Sequence, residues 1–576
     1  MAASTLEASG SSASPDDVTA RRLALRLRRL SWSPLLWAVL GFLASLAAAL
    51  RAGLRATEGH LIYSLDDAYI HMAVAKNLAD NGVWGCTPFH FSSSSSSLLW
   101  TLVLGIADRA LGVRDVTPLV LNVALVLATL VVTDRYLARF GAPPVLRAAA
   151  LLGLVIAFPM TGMVLMGMEH VLHLMLTIAF AGAAVEALTA GPGDGSARRR
   201  TIVLCVLAAL LGASRYEGVF LIGLACLGFL ARGQAVRCVA VGAAALAPLA
   251  VFGAVSVANG GFFLPNSLML KAAGESVSAV NALVKPFGAE DLAFLRNHRA
   301  LPILVAIGVL GALGHGYSRR VLWRPEVLLP LLLVFMILAH GHYVFSPVYW
   351  VYRYDAYLVG FGVFVAAVLL AQARAAGPTA RRVLPALAVA ALVVVVGDVR
   401  EGVTAEAEVA GMRNTYLEQY QTALFIRTYY PRDAVIVNDL GAVTYYTEAR
   451  ILDLAALGDV EPLLILRRSG HYTKRDVVAW TSKYRPSVAV ISLGWSWVSP
   501  LVPAEWIKVG EVEVPPKRER VGFYAVDAAG SWTLRGRLNE HFTPMRRVPG
   551  YRLHLRRPEK MHELTAATLG APLSFP

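Results

Sequence analysis

Long apolar runs alternate with short polar ones through the first 400 residues of the chain, and then the pattern changes. A helix that crosses a bilayer needs about 20 mainly apolar residues. Eleven runs approach that length, near 34–52, 117–133, 148–166, 170–189, 201–214, 217–231, 236–258, 301–316, 327–344, 355–373 and 382–398. Another run, "SLLWTLVLGIADRALG" (97–112), is shorter and carries Asp108 and Arg109. Beyond residue 400 the periodicity shortens. "DAVIVNDLGAVTYYT" and "RILDLAALGD" read as strands with short connections, and "TKRDVVAWTSKYRPSVAVISL" as a helix followed by a strand. "WIKVGEVEVPP" and "RVGFYAVDA" also read as strands. The pattern predicts a polytopic α-helical membrane protein of about 11 transmembrane helices plus juxtamembrane helices. Residues 400–576 form a C-terminal extracytoplasmic α/β domain in this reading.

Composition agrees. The 576 residues are 56% hydrophobic and 16% charged, with a mean hydropathy of +0.56, where a soluble domain would carry about 25% charged residues. The net charge of +14 does not point to nucleic acid, because the arginines flank apolar runs as in cytoplasmic loops. Residues 1–33 read as a cytoplasmic N-terminus, disordered over 1–20 and basic in "RRLALRLRRL" (21–30). The basic segment marks the first run as an uncleaved signal anchor rather than a cleaved signal peptide. If 97–112 lies in the membrane interface without crossing, the basic loops 134–147, 191–200, 231–237, 317–324 and 374–382 all fall inside. The transmembrane domain then covers 34–399, with a first outer loop at 53–116. Of the four cysteines, Cys205, Cys226 and Cys238 lie in or beside apolar runs and Cys86 in a polar loop. No CxxC pair signals a disulfide framework or a zinc site.

The same topology collects polar motifs on the outer face, where ionisable groups at membrane depth point to function. "SLDDAYIH" carries Asp66, Asp67 and His71. Ser64 and Asp67 have the spacing of a capping box for a short helix over 67–80, and Asp67 and His71 share a face at i,i+4. A cap needs one carboxylate; a second, beside an imidazole, suits a general base. "FSSSSSSLLW" (91–100) reads as a low-complexity linker, or else as a polar lining. "GMEH" contributes Glu169 and His170, and "RYEG" contributes Arg215 and Glu217. "LPNSLMLKA" supplies Asn266 and Lys271, while Arg353, Tyr354 and Asp355 stand among Tyr343, Tyr349, Tyr352 and Tyr357. His340 and His342 are a weak H-x-H pair. Carboxylates suit deprotonating a hydroxyl, basic groups suit a phosphate leaving group, and aromatics suit sugar faces. Arg215, Lys271 and Arg353 are the candidate phosphate ligands.

At these residues the chain resembles the GT-C superfamily, polytopic glycosyltransferases that use polyprenyl-phosphate sugars. It is most similar to the bacterial branch containing the terminal arabinofuranosyltransferases of the actinobacterial cell wall. "LDDAYIHMAVAKNLADNG", "GMEHVLH", "RYEG", "LPNSLMLK", "RYDAYLV" and "NDLGAVTYYTEARILDLAALGD" occur in family order. The resemblance implies an inverting transfer, hexosyl or pentosyl, from a polyprenyl-phosphate sugar to a cell-envelope glycan or lipid acceptor, at the outer face of the cell membrane. Asp66 or Asp67 would be the base, Asp66 being preferred because Asp67 is the readier cap or His71 partner. His71, Glu169, His170, Arg215, Glu217, Asn266, Lys271, Arg353, Tyr354 and Asp355 would bind donor or substrate. Some members need a divalent metal, for which this sequence offers no clear extra ligand set. The first motif departs from the branch's Phe/Arg-rich version, which leaves the sugar open. Two other readings remain, a glycolipid transporter or flippase and a non-catalytic envelope scaffold. A transporter would want ionisable groups near mid-membrane and related halves, whereas the charges sit at helix ends and no halves match; a scaffold explains the tail but not the acid pair.

Overall fold

Proline starts and small-residue stretches shape the helical part of the computed structural model, which describes residues 33–190, 195–269, 306, 324–343, 353–372, 405–495, 498–516 and 518–557. The N-terminal 32 residues, Lys271, and the runs near 301–316 (Ala306 apart) and 382–398 lie outside the described residues. The helices are α1 (Pro34–Ala56), α2 (Asp67–Asn81), α3 (Leu98–Leu111), α4 (Thr117–Arg139), α5 (Pro144–Ala157) and α6 (Met160–Leu165). They continue with α7 (His170–Thr189), α8 (Ala197–Ser214), α9 (Gly218–Ala231), α10 (Ala235–Ala258), α11 (Pro325–Tyr343) and α12 (Ala356–Gln372). Four of them, α1, α4, α7 and α10, are long and apolar enough to cross a membrane.

The most apolar window of α7 is 83% buried and that of α10 only 17%. So α7 is the hub of the bundle, while α10 shows its apolar surface outward. The run expected as one span over 148–166 is two helices. α5 ends at Ala157, and Pro159, which has no N–H to donate, precedes the six-residue α6. α3 is 14 residues long, about 21 Å at 1.5 Å per residue. Its Leu102, Ile106 and Leu111 are exposed, while Trp100, Leu104 and Asp108 face the bundle.

Residues 405–557 build a six-stranded sheet with helices on both faces. The chain enters through α13 (Ala405–Thr415), a π-turn at Tyr416–Tyr420 and α14 (Gln421–Tyr429). Then come β1 (Ala434–Val437), α15 (Gly441–Tyr446), β2 (Arg450–Asp453), α16 (Glu461–Ser469), α17 (Lys474–Thr481) and β3 (Val488–Ser492). β4 (Ile507–Val514), β5 (Glu519–Ala525), α18 (Gly530–Phe542) and β6 (Arg552–Leu555) complete it. The strand order is β2-β1-β3-β5-β4-β6. β2, β1 and β3 run parallel, with Val435 between Ile451 and Val488, and the remaining pairs are antiparallel.

Every residue of "AVIV" and "VAVIS" is buried, as parallel strands covered on both faces require. Val435 and Val437 enter one core with Phe425, Leu538 and Phe542. Ala434 and Ile436 enter the other with Val477 and Trp480. β1 has its successor β2 on one side and β3 on the other, so the chain reverses direction across the sheet there. Doubly wound sheets place their ligand crevice outside the carboxyl ends of the strands at such a point. The sheet is fastened to the bundle through α13. Met412 is fully buried against Gly53 of α1, where an added Cβ would stand 2.4 Å from its sulfur.

Candidate functional site

The starts of α3, α7 and α9, the end of α8 and the turn before α12 converge with α2 at one edge of the bundle, beside the turn that follows β1. Asp66 and Asp67 begin α2. The capping box expected from Ser64 and Asp67 does not form. Asp66 is the N-cap residue, and its side chain makes no bond to its own helix. It reaches the sheet unit instead. The Gly441 amide donates to Asp66 Oδ2 at 2.7 Å and the Ala442 amide to Oδ1 at 2.8 Å. Asp66 therefore caps α15, a helix 375 residues further along the chain. Asp439 also shares a hydrogen bond with it, and Gln419 Nε2 donates to Asp439 Oδ2 at 3.0 Å. Burial and the facing Asp439 carboxyl push the Asp66 pKa well above the usual carboxylate range, and burial raises Asp439 as well. Two carboxyls at hydrogen-bond distance hold one proton between them.

Asp67 turns the other way. It is 44% exposed and ion-paired with Arg353, Nη1 to Oδ2, at 2.6 Å. Arg353 Nη2 donates to the Tyr354 hydroxyl at 2.8 Å, and Nη1 lies 3.6 Å from the Met168 sulfur. Its buried Nε has no partner among the described residues. The Tyr354 ring lies 4.8 Å from the Arg353 guanidinium and 5.7 Å from that of Arg215. Arg215 was a candidate phosphate ligand, but two carboxylates already hold it. Nη1 donates to Glu169 Oε1 at 2.7 Å, while Nη2 and Nε donate to Glu217 at 2.9 and 3.3 Å. Burial alone would raise the Glu169 carboxyl and is the largest single influence on it, but the Arg215 guanidinium and its other polar neighbours together outweigh burial and hold it well below its ordinary value.

His71 does not pair with Asp67, as their spacing suggested. Its Nε2 faces Glu169 Oε2 at 3.4 Å, and its Nδ1 lies 3.0 Å from Thr101 Oγ1 and 3.1 Å from Ser95 Oγ. Burial lowers the His71 pKa, so the ring is neutral at pH 7. The serine run is not a linker. Ser92, Ser93, Ser94, Ser95 and Ser97 are buried, Ser96 Oγ donates to Glu169 Oε1 at 3.2 Å, and Ser97 caps α3. Small hydroxylated side chains fit where a neutral imidazole and a buried carboxylate need donors in little space. Gly167 (φ +74°) turns the chain into Glu169; a Cβ there would stand 2.6 Å from the Tyr63 ring.

The acid pair, His71, Glu169, Arg215, Glu217, Arg353 and Tyr354 thus form one cluster. His170 is buried beside Glu169, and Asp355 is buried at the start of α12. Asn266 stands apart. Its amide N–H donates to Ser93 O and its Nδ2 to Leu457 O, so it ties the serine run to the sheet unit. The side chains of His340, His342 and Tyr343, and Tyr349 and Tyr352 altogether, lie outside the described residues. Among the described residues no three His, Cys, Asp or Glu side chains converge as a metal site requires. Sequence reasoning missed Asp439, Gly441 and the Ser95–Thr101 pair. The signal for the first two was "VNDLGA", an apolar strand followed by Asp and then Gly at a helix start, which is turn chemistry at the carboxyl end of a strand.

Residues 409–532 match a family model described as a domain of unknown function, DUF8728. No curated protein matches the chain. Among solved structures, the chain is similar to ArnT from Cupriavidus metallidurans bound to undecaprenyl phosphate. That match has a TM-score of 0.49 and 14% identity, and covers 84% of this chain and 98% of that one. It is also similar to the archaeal oligosaccharyltransferase AglB from Archaeoglobus fulgidus, in complex with an inhibitory peptide and a dolichol-phosphate. There the TM-score is 0.43 and the identity 11%, covering 84% of this chain and 74% of that one.

Proposed function

We propose that the chain is an inverting membrane glycosyltransferase of GT-C type that transfers a sugar from a polyprenyl-phosphate donor to a cell-envelope acceptor on the extracytoplasmic face. The observation that carries this reading is the Asp67–Arg353 pair, a half-exposed carboxylate 2.6 Å from a guanidinium whose Nε is unpartnered among the described residues. A base for the acceptor and a ligand for the departing phosphate stand side by side. Asp67, rather than Asp66, is the base, because both Asp66 oxygens already accept backbone N–H groups. Asp67 takes the proton of an acceptor hydroxyl as that oxygen attacks the anomeric carbon. The bond from that carbon to the phosphate oxygen breaks with its electron pair, and the lipid phosphate leaves against Arg353. A single displacement inverts the anomeric configuration.

The sequence supports the placement: eleven spans, an N-terminus inside, and the sheet unit outside satisfy the basic-loop pattern. The likeness of the six motifs to the arabinofuranosyltransferase branch makes a pentosyl donor the first to assay. The test uses full-length protein in nanodiscs with synthetic polyprenyl-phosphate sugars. Asp67→Asn keeps size but cannot act as a base, so turnover should fall about 10²–10⁴-fold while donor still binds. Near-normal turnover by Asp67→Asn would refute the assignment.

A further inference from the structure

We propose that Asp66, bound at the turn that follows β1, is a positioning residue through which residues 405–557 hold Asp67 in register. The inference rests on the transferase reading above, and it gives a role to the segment matched only as a domain of unknown function. Three independent observations carry it.

The first is topological. Asn438 and Asp439 follow β1 directly, and α15 starts two residues later, at the switch point where such sheets bind ligands. Asp66, from the other half of the chain, reaches the start of α15 there. The second is stereochemical. Consecutive amides of Gly441 and Ala442 each reach a different oxygen of Asp66. Gly441 is required for this approach, since a Cβ would lie 2.2 Å from Asp66 O and 2.4 Å from its Oδ2. The third is that α2 is fastened to the same segment farther along. Lys76 Nζ donates to Tyr445 O at 3.1 Å and pairs with Glu448 at 2.7 Å. The Tyr69 ring lies 5.9 and 5.5 Å from the rings of Tyr445 and Tyr446. A helix held at its first turn and again at its third cannot roll about its axis. Asp67, one residue after Asp66, is thereby fixed toward Arg353. Misplacing a reacting group by about 1 Å costs about 100-fold in rate, so a clamp of this kind acts on turnover rather than on donor binding.

Two variants of the full-length protein in nanodiscs test it, read by amide hydrogen exchange over 439–446 and by steady-state kinetics. Asp66→Ala removes both acceptors. Exchange at Gly441 and Ala442 should accelerate and kcat should fall about 10–100-fold, with donor affinity unchanged within about twofold. Asp439→Asn should keep protection and turnover, because its amide donates to Asp66 while its oxygen still accepts from Gln419. If Asp66→Ala does not accumulate, Asp66→Asn, which retains one acceptor, should show the same changes at smaller size. Unchanged amide exchange in Asp66→Ala refutes the clamp. Accelerated exchange with wild-type kcat refutes the positioning role. An inactive wild-type protein refutes the transferase reading instead, and the exchange data distinguish the two failures.

Discussion

Replacing Glu169 by Gln removes one fully buried charge and almost no volume. Glu169 accepts from Arg215 Nη1 at 2.7 Å and from Ser96 Oγ at 3.2 Å, with His71 facing its other oxygen. Gln retains one oxygen acceptor for Arg215 but loses the carboxylate charge that the guanidinium faces. A hydrogen bond to a charged group is worth about 1.5–3 kcal/mol, and breaking a buried ion pair from one side costs about 3–5 kcal/mol. Arg215 keeps both of its bonds to Glu217, so the guanidinium is not left bare and the cost falls toward the lower range. We expect about 2–3 kcal/mol, roughly a 30- to 150-fold change in the folded-to-unfolded ratio. Glu169→Ala should cost more, since it also leaves a cavity. The assay is thermal unfolding in one fixed lipid composition, followed by tryptophan fluorescence. The Glu169→Gln, Arg215→Met double variant should lose less than the sum of its single variants, because each single change leaves one partner of the same buried pair incompletely matched and the pair is counted twice in the sum. Wild-type stability in Glu169→Gln, or strict additivity in the double variant, would refute this account of the cluster.

Arg353→Ala should weaken binding of a polyprenyl-phosphate donor about 10- to 150-fold, the equivalent of one charged hydrogen bond of about 1.5–3 kcal/mol, with Arg353→Lys intermediate because it keeps the charge and loses the fork; unchanged affinity in competition binding would place the phosphate elsewhere. The Asp66–Asp439 pair has raised pKa values in the folded protein, whereas both carboxyls ionise near pH 4 once unfolded. The folded state therefore binds more protons above about pH 4, and its stability should decline as pH rises from there through the raised value. Asp439→Asn should flatten that decline in unfolding midpoints measured against pH, and an identical slope in both proteins would dismiss the shared proton.

The helix of the acid pair, the cluster at the helix ends and the inner strands of the sheet were legible because each rests on local pattern. α2, α17 and β3–β5 fall where periodicity and turn residues place them. The misreadings were of contacts that local pattern does not encode. Tertiary packing turned "GAVTYY" into a helix, although its β-branched and aromatic residues favour a strand. Six serines in a row look like a flexible tether, but the hydroxyls of Ser95 and Ser96 are taken up by His71, Thr101 and Glu169, and that of Ser97 by the start of α3. Asp66 and Asp67 are neighbours with the same side chain. Their roles separate only through partners at positions 441, 442 and 353, which no window around residue 66 contains.

The span between Asp66 and Gly441 also orders events in time. Helix α2 leaves the ribosome early, and the amides that grip it follow 375 residues later, about 20–75 s at ordinary synthesis rates of about 5–20 residues per second. Throughout that interval two adjacent carboxylates stand at the membrane edge without the backbone donors that later take up one of them. The grip closes only after the sheet has folded, so a chain truncated before β1 would leave Asp66 unheld. Completion of the C-terminal segment is in this way a checkpoint on assembly, set by nothing more than the order of residues along the chain.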